Sequence, residues 1–293
     1  MKTEKVKKLT VEQRFLYWIK ERHQIYLRRK LGNPKPWTTD EVLQNYFFTN
    51  PYRENDKVTN WFRTHIRDPL TKEKNNNVLF ATVAFRWFNK PEPTGNILLE
   101  RGLLERWNTK RAIKYIGDES RKQAVFTGAY MIKAGNGEPG CKVPNVCNAI
   151  EAVWKDRKRL VQVCKDTNSL ESIWKELCQF MYLGPFMSYE VVTDLRWTHL
   201  LNHAPDRRTW ANPGPGCWRG LARMNGLNIK GRAAEKVKNP QLEMQRLMKM
   251  VNRKLPFMPK FEMREVEHSL CEFDKYERLL WKEGRSKRVY DGR

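Results

Sequence analysis

The chain is short of acids, has no paired-cysteine motif and no long apolar run. Its 293 residues hold 33 Asp and Glu against 56 Lys and Arg, a formal charge of +23. That imbalance favours a polyanionic partner, with nucleic acid first; the alternative is a basic surface with no partner. The six cysteines (Cys141, Cys147, Cys164, Cys178, Cys217, Cys271) form no C-x-x-C pair, and no second pair or nearby His completes a site at Cys141 and Cys147. Structural thiols in a reducing compartment are therefore expected. There is no H-E-x-x-H, and Glu267 and His268, being adjacent, point apart on a helix, so no metal is expected. No secretory apolar region and no span of 18 apolar residues occur, which predicts a cytoplasmic protein without a membrane partner. There is no sustained tandem repeat. No glycine turn is followed by the Lys-Ser/Thr of a P-loop, which excludes that ATP site.

What is present is helical. Hydrophobic residues make up 40% of the chain, with 11 Trp and 13 Phe, enough for a real core rather than a disordered polycation. Spacing predicts helices over 11–31, 76–90, 95–116, 146–164, 170–177, 185–197, 240–252 and 262–284, with further turns at 118–126. No series of alternating strands is visible, so the fold class is mostly α. Thr10 with Gln13 makes a capping box for the first helix, and Thr39 or Asp40 caps the helix after the Pro34–Pro36 link. The run 128–147, with four Gly and two Pro, reads as a loop or short strand pair that contacts a ligand. The chain is expected to be a single helical unit over 11–284, or two helical lobes split near 128–147, with basic flexible tails at 1–10 and 285–293.

The stretch that organises the rest is LESIWKELCQFMYLGPFMSYEVVTDLRWTH, residues 170–199. It reads as helix, tight turn, helix, with Gly184-Pro185 opening the second helix. Glu190 and Asp194, four apart, lie on one face and offer two carboxylates to one site. The hairpin resembles the helix-hairpin-helix of base-excision DNA glycosylases, whose turn amides hold a DNA phosphate. Tyr182 stands where the first hairpin glycine of that motif usually stands. An ordinary buried helical hairpin is the other reading.

Candidate anion-binding groups are Arg22, Arg28 and Arg29 on the first helix, Arg53, Arg196 and Arg219, together with the turn Gly184. Pro213-Gly214-Pro215-Gly216 feeds a helix start near Arg219, so Gly214 and Gly216 are candidates for a phosphate cradle. Glu21 and His23 share the first helix; the plainer readings are an ion pair with a neighbouring base and a half-buried imidazole. Asp40 is a cap or a site residue. Asn50, Arg53 and Asp56 interleave with aromatics ahead of Trp61 and Phe62, a composition that suits a nucleic-acid groove or a solvated helix. Glu267, His268 and Glu272 cluster with Lys275 over two turns of the last long helix.

Four segments together carry a family resemblance: ERHQIYLRRKLGNPKPWTTDEVLQNYFFTNPYRENDKVTNWF (21–62), YLGPFMSYEVVTDLRW (182–197), GPGCWRGL (214–221) and EVEHSLCEFDKYERLL (265–280). They resemble the phage thymine-hypermodification proteins called alpha-glutamyl/putrescinyl thymine pyrophosphorylases or amino acid:DNA transferases. They are also similar to the helical domain of 5-hydroxymethyl-deoxyuridine (5-hmdU) DNA kinases. The resemblance implies a glycosylase-like helical fold, duplex modified DNA as substrate, a partner DNA kinase or other modification enzymes, and the cytoplasm of a phage-infected host. It further implies an amine co-substrate, an amino acid or polyamine, and no other cofactor. The amine would replace the pyrophosphate on a thymine methyl, with a carboxylate taking the proton: Glu190, Asp194 or Glu21. The base would leave the duplex and stack on Trp37, Phe48 or Trp61. Two alternatives stay open. One is a non-catalytic DNA-binding helical subunit. The other is a monofunctional glycosylase using Asp206, 22 residues beyond Gly184, with Ser188 where a lyase Lys would stand.

Overall fold

The computed structural model describes residues 3–130, 132, 134, 140–229 and 236–284. It is mostly α, with no β-strand among the described residues. The first helices are α1 (Thr3–Lys7), α2 (Val11–Lys30) and α3 (Glu41–Asn45). Next come α4 (Lys57–Phe62), α5 (Asp68–Lys72), α6 (Val78–Phe88), α7 (Asn96–Glu100) and α8 (Thr109–Ser120). The long α9 (Lys142–Thr167) leads to the hairpin pair α10 (Leu170–Leu177) and α11 (Pro185–Leu195). The last three are α12 (Pro215–Met224), α13 (Pro240–Lys254) and α14 (Met263–Leu280). The chain divides into two compact units, one joining Met1–Asp56 to Arg207–Arg293 and the other running Lys57–Asp206. The Gly/Pro-rich run 128–147 belongs to the second; 131, 133 and 135–139 lie outside the described residues, as do 285–293.

Local signals explain most boundaries. Thr10 and Gln13 form the reciprocal capping box of α2, and Asp40 accepts from the amides of Val42 and Leu43 to start α3. Pro185 and Pro215 open α11 and α12 behind glycine N-caps. The helix predicted over 95–116 is two. Gly102 takes a left-handed φ of +61°, and the amide of Leu103 reaches back to the Leu98 carbonyl, which closes α7; Asn108 then caps α8. Residues 142–147, read as loop, are the first turns of α9.

In the Lys57–Asp206 unit, α6 is buried on every side and packs against α9 and α11. Phe62 and Trp61 stack on Phe85 at 4.8 and 5.5 Å. In the other unit α14 is central and packs on α2, α12 and α13. Two glycines let α12 approach: a Cβ on Gly216 would sit 2.3 Å from Cys271 Sγ, and one on Gly220 2.4 Å from the Leu270 carbonyl oxygen. Gly216, read as part of a phosphate cradle, is therefore a packing residue.

Candidate nucleic-acid interface

In the unit built on α14, the last turns of α2 place Arg22, Ile25 and Arg29 along one helix face. Gly32, at φ +74°, ends that helix and turns the chain into the proline link that carries Lys35 and Trp37. The segment then returns through α3 to Tyr46, Phe47 and Phe48. Between them lies a cavity of about 390 Å³ lined by these residues and by Pro36, Thr38, Leu43, Gln44 and Asn45. Its size falls within the roughly 300–1,000 Å³ typical of small-ligand sites. The lining carries three cations and four aromatic rings but no carboxylate.

Several contacts fix this cavity. Arg22, buried, donates Nε to the Phe48 carbonyl at 2.9 Å. Arg28 donates to both Glu21 (3.1 Å) and the Trp37 carbonyl, which anchors the link to α2. The guanidinium of Arg29 and the ammonium of Lys35 lie 5.0 and 5.1 Å from the Trp37 ring. Below them Asp40 is wholly buried; its second oxygen accepts from Tyr276 at 2.6 Å and Tyr17 at 3.1 Å. Burial, then the Asp40 charge, pushes both phenols well above their usual range, so they remain donors. Asp40 is thus a cap and a hub between α2, α3 and α14. His23, buried between Tyr26 and Tyr52, has no partner at Nδ1 among the described residues. Burial, helped by the Arg22 charge, lowers its pKa.

The remaining candidates of this unit are tied locally. Asn50 donates its backbone and side-chain N–H to Asp56 Oδ1 at 3.0 and 2.9 Å. Burial raises the pKa of Asp56 against that bonding and the nearby Arg53. His268 meets the Thr49 hydroxyl at 2.8 Å, and Glu272 accepts from the Thr49 amide (3.0 Å) and Lys275 (2.8 Å). At the start of α12 the Gly214 amide faces the Glu267 carboxylate at 3.5 Å, and Arg264 pairs with that carboxylate at 2.9 Å. A protein acid thus occupies the place a phosphate would take in the Gly214 cradle. Arg219 donates to buried Asp274 at 2.8 Å.

In the Lys57–Asp206 unit, Glu190 and Asp194 both lie on the buried side of α11 but meet different partners. Glu190 accepts from Tyr130 at 2.6 Å. Asp194 is held by Arg86, which also bonds Asn89 at 2.7 Å and Thr59 at 3.1 Å. Asp206 receives the amides of Leu170 and Glu171, each at 3.0 Å, and the Ser169 hydroxyl at 2.7 Å, so it caps α10. Arg196, buried, donates Nε to the Thr193 carbonyl. Tyr182 takes a φ of +63°, the left-handed conformation a glycine adopts freely. A Cβ on Gly184 would meet nothing within 4 Å, so the turn is open there. Glu21 belongs to the other unit and is paired with Arg28.

Sequence reasoning passed over Arg86, set in an apolar run, and Tyr17, Asp274 and Tyr276, whose partners are remote in sequence. It passed over Lys35, Gln44, Asn45, Tyr46 and Phe47 too. Three consecutive aromatics beside two amides, inside the longest resembling segment, are the signal that was available there. Among the described residues no group of three His, Cys, Asp or Glu is placed to hold a metal, and no helix is long and apolar enough to cross a membrane.

The model of the helical domain of 5-hmdU DNA kinases matches residues 10–286. A 5-hmdU DNA kinase of Bacillus phage SP10 is 30% identical over 219 residues, covering 69% of this chain and 34% of the relative. The chain therefore spans about a third of the length of that curated relative. No solved structure matches it. With the match running across both units, the chain belongs to the family of 5-hmdU DNA kinase helical domains.

Proposed function

We propose that this chain is the DNA-recognition unit of a thymine-hypermodification system, and that the cavity between α2 and α3 receives a 5-substituted pyrimidine turned out of duplex DNA. The observation that carries this is the lining: Trp37, Tyr46, Phe47 and Phe48 supply stacking faces, Arg22, Arg29 and Lys35 supply cations, and the lining residues themselves include no carboxylate. Rings stack on any base face, and the cations favour a phosphorylated substituent or the flanking backbone. Gln44 and Asn45 carry amides suited to a pyrimidine edge. The kinase named in the relative handles a 5-substituted deoxyuridine, which is the base this cavity would hold. Under this reading the 170–195 hairpin is a helix-hairpin-helix whose open Gly184 turn meets a backbone phosphate.

Amine transfer is the second reading, favoured by one observation: Glu190 is a buried acid that accepts from the Tyr130 hydroxyl. A carboxylate so placed could take a proton from an ammonium nucleophile once substrate enters. Asp194 and Asp206 support catalysis less, one being held by a guanidinium and the other by three donors. The glycosylase alternative loses its acid by the same argument. Incubation with duplex DNA carrying 5-pyrophosphorylmethyl-deoxyuridine and a panel of amines, followed by nucleoside mass analysis, separates these readings. A recognition unit binds this DNA more tightly than plain DNA and leaves every nucleoside mass unchanged. An aminomethyl adduct would establish the transferase instead, and an abasic site the glycosylase.

A further inference from the structure

Asp274 on α14 is wholly buried and gathers three arginines. Arg219 Nε lies 2.8 Å from Oδ2, Arg223 Nε 2.9 Å from Oδ1, and Arg278 Nε 3.3 Å from Oδ2 again. Arg223 also pairs with Glu283 at 2.7 Å and is nearly buried, at 8% side-chain exposure. Among the described residues three guanidiniums thus share two carboxylates, one more positive charge than neutrality requires. Arg219 and Arg278 crowd the same oxygen while keeping 42% and 32% of their side chains exposed. Like charges that share one oxygen repel, and a further anion would offset that repulsion. Among the described residues Arg219 bonds a protein acceptor through Nε, which leaves its terminal nitrogens for that anion. The carboxylate bonds Arg219 and orients its fork beforehand, which lowers the ordering cost of binding, while Arg278 Nε lies at ion-pair distance from the same oxygen without a hydrogen bond.

We infer that Arg219, oriented by Asp274, and the neighbouring Arg278 form an anion site separate from the cavity, and that its ligand is a backbone phosphodiester of duplex DNA. Planar guanidiniums match two phosphate oxygens at once, and the +23 charge of the chain makes a polyanion the fitting source. The inference rests on the DNA-binding reading above, but it concerns affinity and salt dependence rather than choice of base.

The test is the affinity of the full chain for unmodified duplex DNA over a salt series, for the parent, Arg219→Gln, Arg278→Gln and the double variant. Each lost phosphate contact should reduce the slope of log K against log salt by about 0.9. The double variant should therefore flatten the slope by about one to two and bind several-fold more weakly at low salt. A parent slope in a double variant that melts like the parent would overturn the site. Should the double variant fold poorly, modification of the parent's arginines by phenylglyoxal supplies the second readout. Saturating DNA should protect Arg219 and Arg278, as read by peptide mass. Undiminished modification of both would overturn the proposal, as would protection by inorganic pyrophosphate without protection by DNA. If the parent binds no DNA at low salt, this site and the recognition reading fall together. If the slope behaves as expected but no preference for a modified base exists, only the cavity assignment falls.

Discussion

Arg86 and Asp194 form a fully buried ion pair, with Nη2 2.9 Å from Oδ1 and Nε bonded to Oδ2. The guanidinium also lies over the ring of Phe62 and bonds Thr59 and Asn89, so its charge is met almost entirely inside the core. Removing one partner strands the other charge away from water. Arg86→Leu or Asp194→Leu should therefore cost about 3–5 kcal/mol of unfolding free energy, and replacing both together should cost less than the sum. Denaturant unfolding of the three variants checks this. Singles that unfold like the parent would mean that the pair is not holding α6 against α11.

Asp206 stands in the chain where a glycosylase acid would fall, yet its carboxylate closes the start of α10. Asp206→Ala should lower stability by about 1–2 kcal/mol, the scale of a lost helix cap. Its affinity for duplex DNA should change little at a temperature where the variant is folded. A large affinity loss with parent-like melting would make Asp206 a DNA contact rather than a helix cap.

The glycines around α12 divide by what a methyl would meet. Gly216→Ala and Gly220→Ala press on α14 at 2.3 Å and 2.4 Å, where Gly220 faces backbone that cannot yield. Each should destabilise by about 1–3 kcal/mol. Gly214→Ala meets its nearest atom, Glu267 Oε1, at 3.8 Å and should be tolerated sterically. Melting curves for the three, recorded together, test the contrast.

A buried imidazole makes stability depend on pH. Burial lowers the pKa of His23 below its ordinary value of 6.5, so the folded state binds fewer protons there than the unfolded chain. The stability of neutral His23 is fully present above pH 6.5 and is lost as pH falls through the depressed folded value. His199, lowered by burial and by Lys165 and Lys74, acts with the same sign. His23→Gln should flatten the acid side of a stability–pH profile in proportion to the His23 share. An unchanged profile would show that His23 is as easily protonated in the fold as outside it.

What could be read along the chain was local. The capping box at Thr10, the cap at Asp40, the glycine–proline start of α11 and the helical periods are short-range signals, and each is found in the fold. What could not be read was pairing across distance. Arg86 meets Asp194 across 108 positions and Tyr276 meets Asp40 across 236, and no spacing rule connects them. The same limit applied to the acids. Glu190 and Asp194 were legible as one helix face, but only packing separates the one beside a phenol from the one beside a guanidinium. Gly216 looked like a phosphate turn because a glycine that admits a neighbouring helix and one that admits a ligand read alike.

The cavity beside Trp37 is proposed to hold a 5-substituted pyrimidine. The most direct measurement is the ratio of affinities for two duplexes, one with a single 5-hydroxymethyl-deoxyuridine and one with thymine, for the parent, Trp37→Ala and Phe47→Ala. A stacked base is worth about 1–3 kcal/mol per aromatic contact. The parent should prefer the modified duplex, and either substitution should remove most of this preference while the salt dependence stays that of the parent. A parent without preference, or variants that keep it in full, would rule out a base held in this cavity.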